Sequence, residues 1–252
     1  MPKKAIPSVP KKRLDLLLVE RGLAPTRQRA QALILAGQVH IGNQRAEKAG
    51  AFVPIATAIE VVGEAMPYSS RGGVKLAGAL DDFNLSVEGK ICLDVGSSTG
   101  GFTDCLLQHG ARKVYAVDVN IAQLDWKLAH DPRVAALKKN ARYLKLSDLP
   151  ELASLITLDV SFISVTKILP AIVAIGKPAA DFLILIKPQF ELDRRDVGRG
   201  GIVRDSRLHE RAIERVRKAA EDAGLICLGI RPSQLPGAGG NLEFFLHARQ
   251  SG

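Results

Sequence analysis

Two charged residues directly follow apolar segments that are predicted to be buried strands. Asp159 comes after one such segment, and Lys187 comes after the run Leu-Ile-Leu-Ile. A lysine in that position is costly to desolvate, so we expect it either to serve a function or to pair with an acid. Lys75, on the helix that opens this part of the chain, and Glu243, near the start of the last predicted strand, extend the set. Each alone could be an ordinary ion-pair partner, but the four together indicate a catalytic group.

A glycine-rich turn links an apolar strand to a helix. The strand Ile91–Val95 contains Asp94, and the turn reads G-S-S-T-G-G from Gly96 to Gly101. Small residues let a ligand approach the backbone closely, and ligands of open α/β sheets bind beyond the carboxyl ends of the strands. A second strand further along also ends in an acid, Asp118, whose carboxylate could accept hydrogen bonds from both hydroxyls of an adenosine ribose.

Three interpretations compete for this turn. An ATP-binding loop of the form GxxxxGK[ST] needs a lysine where the sequence has Phe102. A dinucleotide-binding turn of the form GxGxxG needs a glycine where Ser98 stands. S-adenosylmethionine has no phosphate, but it carries an amino group and a sulfonium charge, which Asp94 at the mouth of the turn would suit. We therefore expect S-adenosylmethionine, with NAD and an empty structural turn as alternatives.

A polar residue after the third apolar segment completes the predicted cofactor site. Asn140, followed by Ala141, could present its amide to adenine, although a lone asparagine is also a common turn residue. The predicted cofactor-binding residues are Asp94, Gly96, Ser97, Thr99, Gly100, Gly101, Phe102, Thr103, Asp118, Val119, Asn140 and Ala141.

Strands and helices alternate through this part of the sequence. Such alternation predicts an α/β fold with a doubly wound, mainly parallel sheet. With the cofactor expected at the glycine turn, this would be a Rossmann-like methyltransferase domain. The predicted strands are Ile91–Val95, Val114–Asp118, Leu155–Asp159, Phe182–Lys187, Leu225–Ile230 and Leu242–His247. The predicted helices are Gly73–Phe83, Gly101–Gln108, Thr166–Ile175 and Asp205–Ala223. The segment from Glu191 to Asp205 lacks periodicity, and we expect a mobile loop or a plain surface loop there.

The amino-terminal part of the chain is strongly basic. Residues 1–48 hold ten Lys or Arg against three acids, which gives +7 of the +9 net charge of all 252 residues. A basic block of this kind indicates a polyanionic partner, with nucleic acid favoured over acidic lipid. Apolar spacing predicts short helices from about Arg13 and Thr26, then small β-structure around Val39 and Ala58. The predicted RNA contacts are Lys11, Lys12, Arg13, Arg27, Arg29 and Arg71.

These elements resemble the αL RNA-binding domain first described in a ribosomal protein. The matching residues are Arg13-Leu14-Asp15, Leu18, Gly22-Leu23-Ala24, Thr26-Arg27, Ala30, Gly37, Val39 and the Gly42-Asn43 turn. We expect a flexible basic arm over residues 1–12 and a small α+β αL domain over 13–64. A linker over 65–72 then leads to the methyltransferase domain over 73–252.

Five further motifs support a wider resemblance. They are S-R-G-G-V-K-L from Ser70, the turn around Asp94, L-D-V-S-F-I-S from Leu158, I-K-P-Q-F-E from Ile186 and G-G-I-V-R-D from Gly200. Over nearly its whole length the sequence resembles the haemolysin-A-type (TlyA) family of ribosomal RNA 2′-O-methyltransferases, whose catalytic domain is similar to FtsJ. The resemblance implies an enzyme that methylates ribosomal RNA, free or in ribosomal subunits. It also implies a catalytic tetrad of Lys75, Asp159, Lys187 and Glu243.

The chemistry of ribose methylation gives these residues their expected roles. A 2′-hydroxyl is a weak nucleophile, so an enzyme must align it with the methyl group and relieve it of its proton. We expect Lys187 to activate the hydroxyl, while Asp159 and Glu243 orient the lysines. The sequence leaves open whether Lys187 acts as a neutral base or as a cationic hydrogen-bond donor.

Three other functions are alternatives. The family name suggests a membrane-active haemolysin, but no apolar run approaches the ~20 residues that cross a bilayer. A non-catalytic RNA-binding protein of ribosome assembly could keep the fold, although it would not need the tetrad. A DNA or small-molecule methyltransferase is disfavoured, because no Asn-Pro-Pro-Tyr-like motif follows the fourth strand.

Cysteine usage indicates the compartment. Cys92, Cys105 and Cys227 are scattered, without a CxxC pair or a histidine cluster. This pattern is typical of a reducing compartment and gives no support to a structural metal. The basic start is not followed by an apolar signal segment, so we expect a cytoplasmic protein without a metal.

Overall fold

The computed structural model describes residues 10–24, 26–35, 37–42, 44–62 and 67–251. The chain divides into two compact units, residues 1–65 and residues 66–252. Residues 1–9 of the predicted arm and Asn43 of the predicted turn lie outside the described residues.

The first unit contains two short helices and two small antiparallel sheets. Its elements are β1 (Lys11–Arg13), α1 (Leu14–Glu20), α2 (Arg27–Leu35), β2 (Val39–Ile41), β3 (Gln44–Arg45), β4 (Phe52–Pro54) and β5 (Ile59–Val61). Strand β1 pairs with β4, and the other sheet has the order β3-β2-β5. Apolar residues three and four positions apart on each helix form the core between them, as the spacing predicted. They are Leu14, Leu17 and Leu18 of α1 and Ala30, Leu33 and Ile34 of α2.

The end of the predicted arm differs from expectation. Lys11 and Lys12 belong to β1, and Lys11 lies opposite Pro54 in the ladder. A three-residue strand is too short to show the alternation that identifies longer strands, and its partner lies some forty positions away. The sequence pattern therefore could not separate this strand from the arm.

The second unit is a seven-stranded sheet with helices on both faces. Its strands are β6 (Ile91–Val95), β7 (Lys113–Asp118), β8 (Val134–Lys138), β9 (Ala153–Leu158), β10 (Gly176–Ile186), β11 (Leu225–Pro232) and β12 (Phe244–Gln250). Its helices are α3 (Arg71–Asp82), α4 (Gly101–Gln108), α5 (Trp126–Ala129), α6 (Leu169–Val173), α7 (Pro188–Glu191) and α8 (Ser206–Asp222). The strand order is β11-β12-β10-β9-β6-β7-β8, and β12 runs opposite to the other six strands. This confirms the predicted doubly wound, mainly parallel sheet.

The central strand β6 is buried on both sides, as its continuous apolar sequence requires. Leu93 and Val95 face one core, which includes residues of α6 and α8, whereas Cys92 faces another, which includes residues of α3 and α4. Because the sheet is covered on both faces, a ligand can reach it only at its edges. The carboxyl ends of β6, β7, β9 and β10 meet at one of these edges.

Several residues of the predicted linker belong to the second unit. Ser70 caps α3 by accepting a hydrogen bond from the Gly72 N–H, so the helix begins at Arg71 rather than Gly73. The Ser69 N–H donates to Asp104 of α4 at 2.7 Å. These contacts fix the start of α3, which carries Lys75.

Candidate active site

Two cavities lie where the carboxyl ends of the strands meet. The larger, about 520 Å³, is lined by Gly96, Ser98, Asp118, Val119, Asn140, Ala141, Asp159, Ser161 and Phe162, among others. The smaller, about 140 Å³, is lined by Ser70, Gly72, Lys75, Gly96, Ser97, Ser98, Thr99, Gly101, Phe102 and Asp159. Gly96, Ser98 and Asp159 line both, so the two cavities adjoin at the glycine turn.

The turn after β6 depends on backbone that only glycine can supply. Gly96 has φ +87°, and a Cβ there would lie 2.3 Å from the carbonyl oxygen of Asp159. The loop after β6 therefore touches the loop after β9. On the other side, the Asp118 carboxylate accepts hydrogen bonds from the N–H groups of Ser98 (2.9 Å) and Asn120 (2.8 Å). This holds the turn and leaves Asp118 on the wall of the larger cavity.

Asp94 does not lie where the sequence suggested. Its side chain is fully buried beneath the turn, where the Thr103 hydroxyl donates to it at 2.6 Å and the Thr157 hydroxyl lies 3.3 Å away. Burial raises the pKa of Asp94 to about 7. The expectation of a carboxylate at the mouth of the turn is therefore wrong, and Asp94 supports the turn from below.

The other predicted cofactor-binding residues fall into three groups. The larger cavity is lined by Gly96, Asp118, Val119, Asn140 and Ala141. The smaller is lined by Gly96, Ser97, Thr99, Gly101 and Phe102. Gly100 and Thr103, like Asp94, appear in neither lining: Thr103 is buried against Asp94, and a Cβ at Gly100 would lie 2.3 Å from the Leu128 side chain. These three residues shape the turn from behind.

One polar atom in the smaller cavity fits a ligand. The Ser97 hydroxyl is buried and has no hydrogen-bond partner among the described residues. A buried polar group without a partner is unfavourable, so such a group in a cavity wall favours a polar ligand there. Two adjoining cavities, one beside Asp118 and one beside Ser97, suit a molecule with a nucleoside at one end and an amino acid at the other.

The predicted tetrad forms two ion pairs at these cavities. Lys75 Nζ lies 2.6 Å from a carboxylate oxygen of Glu243, and both side chains are buried. Lys187 Nζ lies 2.5 Å from Asp159 Oδ1 and also donates to the Ser161 hydroxyl at 2.9 Å. Lys75 and Asp159 both line the smaller cavity, so one member of each pair faces the same space. Lys187, which follows a buried strand, thus has the acidic partner expected at that position, and Lys75 on α3 is paired as well.

Phe162 lines the candidate site but is not among the residues predicted from the sequence. It has φ +65° and is 92% exposed, and its ring lies 5.4 Å from that of Phe190. It lines both the 520 Å³ cavity and a third cavity of about 550 Å³. An aromatic residue near the end of an apolar segment is usually part of the core, so the sequence did not indicate that Phe162 is exposed.

The third cavity is basic. Four cations, Arg142, Lys167, Arg194 and Arg215, lie in its wall, together with two acids, Glu191 and Asp193, and with Gln189 and Phe190. Within the described part of the chain, Arg142, Lys167 and Arg194 have no carboxylate within ion-pair distance. The buried Oε1 of Gln189 also lacks a hydrogen-bond partner among these residues. The cavity therefore presents uncompensated positive charge beside Phe162.

The segment predicted as a mobile loop is anchored at its carboxyl end. It contains two 3₁₀ turns, Arg194–Asp196 and Arg199–Gly201. Buried Asn241 accepts from the Val203 N–H and donates to the Gly201 carbonyl, each at 2.9 Å. Because Asn241 lies two residues before Glu243, this loop and the Lys75–Glu243 pair share a support.

Three of the five predicted RNA contacts of the first unit pair with acidic residues of the same unit. Arg13 and Arg27 both donate to buried Asp15, which also accepts from Gln31. This pairing offsets the unfavourable interaction of the Arg27 cation with the dipole at the start of α2. Lys12 pairs with Glu20 at 2.6 Å, and the side chain of Arg29 lies outside the described residues.

Arg71 is the one predicted RNA contact in the second unit. It lies at the start of α3, is exposed, and donates to the carbonyl oxygen of Pro236 at 3.0 Å. This bond links α3 to the segment that precedes Glu243.

The sheet order and the cavity at the glycine turn together define the class of S-adenosylmethionine-dependent methyltransferase folds. A solved methyltransferase of this class from Mesorhizobium loti covers 70% of this chain and 98% of its own, with a TM-score of 0.53 and 15% identity. At that identity the similarity concerns the fold alone.

A family model described as FtsJ-like methyltransferase matches residues 68–250, and an S4 domain model matches residues 12–55. The chain belongs to the FtsJ-like methyltransferase family. This confirms the resemblance, the fold class and the two kinds of domain predicted from the sequence.

Curated relatives match nearly the whole chain. The 16S/23S rRNA (cytidine-2′-O)-methyltransferase TlyA of Mycobacterium tuberculosis is 44% identical over 239 residues, covering 94% of this chain and 89% of the relative. Hemolysin A of Brachyspira hyodysenteriae is 43% identical over 237 residues, covering 93% and 98%. A solved structure of a hemolysin candidate from Streptococcus thermophilus has a TM-score of 0.76 and 44% identity, covering 97% and 90%. Among helices of the described residues, none is long and apolar enough to span a membrane.

Proposed function

We propose that the protein transfers a methyl group from S-adenosylmethionine to a ribose 2′-hydroxyl of ribosomal RNA, in the cytoplasm. The Lys187–Asp159 ion pair at the edge of the adjoining cavities is the observation that carries this proposal. The named activity of the Mycobacterium tuberculosis relative, at 44% identity, supports it. The substrate is ribosomal RNA, free or within ribosomal subunits.

The larger cavity would hold the adenosine end of the methyl donor. Asp118 would accept hydrogen bonds from the ribose hydroxyls, and Asn140, on the same wall, would meet the adenine ring. The smaller cavity would hold the amino-acid end, beside the Ser97 hydroxyl, which has no hydrogen-bond partner among the described residues. When bound, the donor supplies an electrophilic methyl group on a sulfonium sulfur.

The lysine pairs act on the RNA hydroxyl. Lys187 contacts the hydroxyl oxygen, and the proton released as the oxygen is methylated leaves through the Lys187–Asp159 pair to solvent. Lys75, held by Glu243, lines the smaller cavity together with Asp159, and its positive charge weakens the repulsion between that carboxylate and the incoming oxygen. Fixed charges at the reaction centre stabilise a transition state without reorganisation during the reaction.

The basic third cavity receives the RNA around the reacting sugar. Exposed aromatic rings bind unstacked bases, and Phe162 lies at the rim between this cavity and that of the methyl donor. Arg142, Lys167 and Arg194 supply charge for the backbone phosphates. The first unit, which the S4 domain model matches, adds affinity for structured RNA through its basic residues.

Two measurements test this function together. Calorimetry should detect binding of S-adenosylhomocysteine to the purified protein, and tritiated methyl groups should enter ribosomal RNA of subunits from cells that lack the protein. Failure to bind the cofactor product would contradict the cofactor assignment. Binding without transfer to either subunit or to free ribosomal RNA would favour a non-catalytic role in ribosome assembly.

A further inference from the structure

A buried carboxylate joins the two segments that carry Asp159 and Lys187. Glu191, the last residue of α7, accepts a hydrogen bond from the Ser164 hydroxyl at 2.5 Å and from the Val165 N–H at 2.9 Å. Its side chain is almost fully buried, and Arg215 of α8 donates to its backbone oxygen at 2.7 Å. Glu191 therefore connects the segment after β10 to the loop after β9.

The loop that Glu191 holds contains a strained turn. Phe162 has φ +65°, a left-handed conformation that bulky residues rarely adopt and that persists only where neighbouring contacts fix it. Ser161, on one side of Phe162, accepts from Lys187, and Ser164, on the other side, donates to Glu191. The turn is thus held at both ends by residues four positions apart in one segment.

A contact of this kind is unfavourable if its only role is stability. Burial raises the pKa of Glu191, and the hydrogen bonds from Ser164 and Val165 offset that effect only in part. No ion pair to its carboxylate occurs within the described residues, so this buried carboxyl is stabilised by hydrogen bonds and by the charge of Arg215 nearby. An apolar residue could join the two segments without desolvating a charge. The carboxylate is better explained by the directional hold that it gives Ser164.

We infer that Glu191 is a positioning residue, which holds the Ser161–Phe162 turn against Lys187 and so fixes the Lys187–Asp159 pair at the cofactor cavity. It acts through Ser164 and touches neither the donor cavity nor the reacting atoms. The inference rests on the proposed methyl transfer, because the alignment that it protects is that of the 2′-hydroxyl. A misplacement of about 1 Å can reduce a rate about 100-fold.

The variant Glu191→Gln tests this role with little change in volume. The amide still accepts from the Val165 N–H but loses the charge that binds the Ser164 hydroxyl. We expect kcat for methyl transfer to fall about tenfold or more at saturating cofactor and RNA. The Kd for S-adenosylhomocysteine should change less than about threefold, since Asp118 and Asn140 do not depend on the hydrogen bonds of Glu191.

Asp181→Asn is the matched control. Asp181 is also a buried, hydrogen-bonded carboxylate, and it lies in the middle of β10, where it accepts from His247 and Arg249. It should lower the melting temperature without changing kcat at temperatures where the variant is folded. If Glu191→Gln also lowers activity only in proportion to the unfolded fraction, the inference is overturned.

A double variant and the wild type separate the remaining outcomes. If Glu191 acts through Ser164, the double variant Ser164→Ala with Glu191→Gln should have a kcat no lower than that of the more severe single variant. Additive losses of kcat would contradict an action of Glu191 through Ser164. A wild type that transfers no methyl group would refute the proposed function. An active wild type matched by an equally active Glu191→Gln would refute only the role of Glu191.

Discussion

Lys75 and Glu243 are 168 positions apart in the sequence and form a buried ion pair at 2.6 Å. The fold fixes this pair closely. A Cβ at Gly237 would lie 2.0 Å from Glu243 Oε1, and Lys75 projects from a helix whose start is capped by Ser70. Neither charge can leave its position without a structural change, so the pair presents a fixed cation to the smaller cavity.

Removing one partner of this pair should destabilise the second unit strongly. Glu243→Ala leaves the buried Lys75 ammonium without a partner, which typically costs about 3–5 kcal/mol of unfolding free energy. The double variant Lys75→Met with Glu243→Leu should regain most of that stability in urea unfolding but should not transfer methyl groups. A double variant that remains active would show that the pair serves folding alone.

Lys187→Ala should separate catalysis from cofactor binding. We expect methyl transfer to fall about 100-fold or more, because the group that activates the hydroxyl is lost, while calorimetry gives a nearly unchanged Kd for S-adenosylhomocysteine. The control is Lys177→Ala, at an exposed position of β10, the strand that precedes Lys187, and this variant should match the wild type. Equal losses of transfer and cofactor binding would reject the activating role.

Asp159 and Lys187 could be located from the sequence because one rule of parallel sheets applies to them. Asp159 and Lys187 each follow a strand whose continuous apolar sequence marks it as buried, and such strands end together at one edge. Their meeting at 2.5 Å follows from the pairing of β9 with β10, which the alternation of strands and helices indicated. Lys75 and Glu243 needed the family resemblance, since no local pattern brings α3 to the start of β12.

The errors concern side-chain direction and pairing between distant segments. A residue near the end of a strand can point into the core or into the ligand site. The sequence of β6 did not show that Asp94 points toward Thr103 and Thr157. Likewise, Arg27 is predicted to contact RNA, but in the structure it pairs with Asp15, which lies on another helix. Such partners depend on tertiary packing, which periodicity does not encode.

The buried carboxyl of Asp94 should make stability depend on pH. Its pKa is about 7 in the folded protein against 3.8 when unperturbed, so the folded state binds the proton more tightly. The contribution to unfolding free energy is therefore full below pH 3.8 and is lost as the pH rises toward 7. Its slope can reach about 1.4 kcal/mol per pH unit.

The comparison of wild type with Asp94→Asn isolates this effect from other titrating groups. Urea unfolding, followed by the fluorescence of Trp126, the single tryptophan, should show the stability of the wild type falling relative to the variant between pH 5 and pH 7. Above that range the difference should level off. A difference that stays constant with pH would mean that the carboxyl is ionised throughout.

Asp15→Ala should loosen the first unit without affecting the second. Hydrogen bonds from Arg13, Gln31 and Arg27 hold the pKa of this buried carboxyl well below its usual range. Loss of these charged hydrogen bonds should cost about 2 kcal/mol or more, seen as faster amide exchange in α1 and α2. Cofactor binding should persist.

The control for this change is Glu20→Ala, which removes the exposed partner of Lys12 and should cost less than about 1 kcal/mol. If Asp15→Ala exchanges no faster than this control, the Asp15 network does not stabilise the unit.

The cations of the third cavity should determine how RNA binding responds to salt. Replacement of Arg142, Lys167 and Arg194 by alanine should reduce the slope of log K against log salt by about 0.7 for each lost contact with single-stranded RNA. Affinity for S-adenosylhomocysteine should not change. The matched control is Lys218→Ala, at an exposed position of α8. A triple variant with the same salt slope as this control would exclude RNA from the cavity.

The most direct test of the account is the identity of the atom that receives the methyl group. Once the modified nucleotide has been mapped, an RNA fragment with a 2′-deoxy sugar at that position should accept no tritiated methyl group from the wild-type protein, while the matched ribose fragment is methylated. Digestion of the ribose product should yield a 2′-O-methylnucleoside. Methylation of the deoxy fragment, or a methyl group on the base, would contradict the role assigned to Lys187 and Asp159.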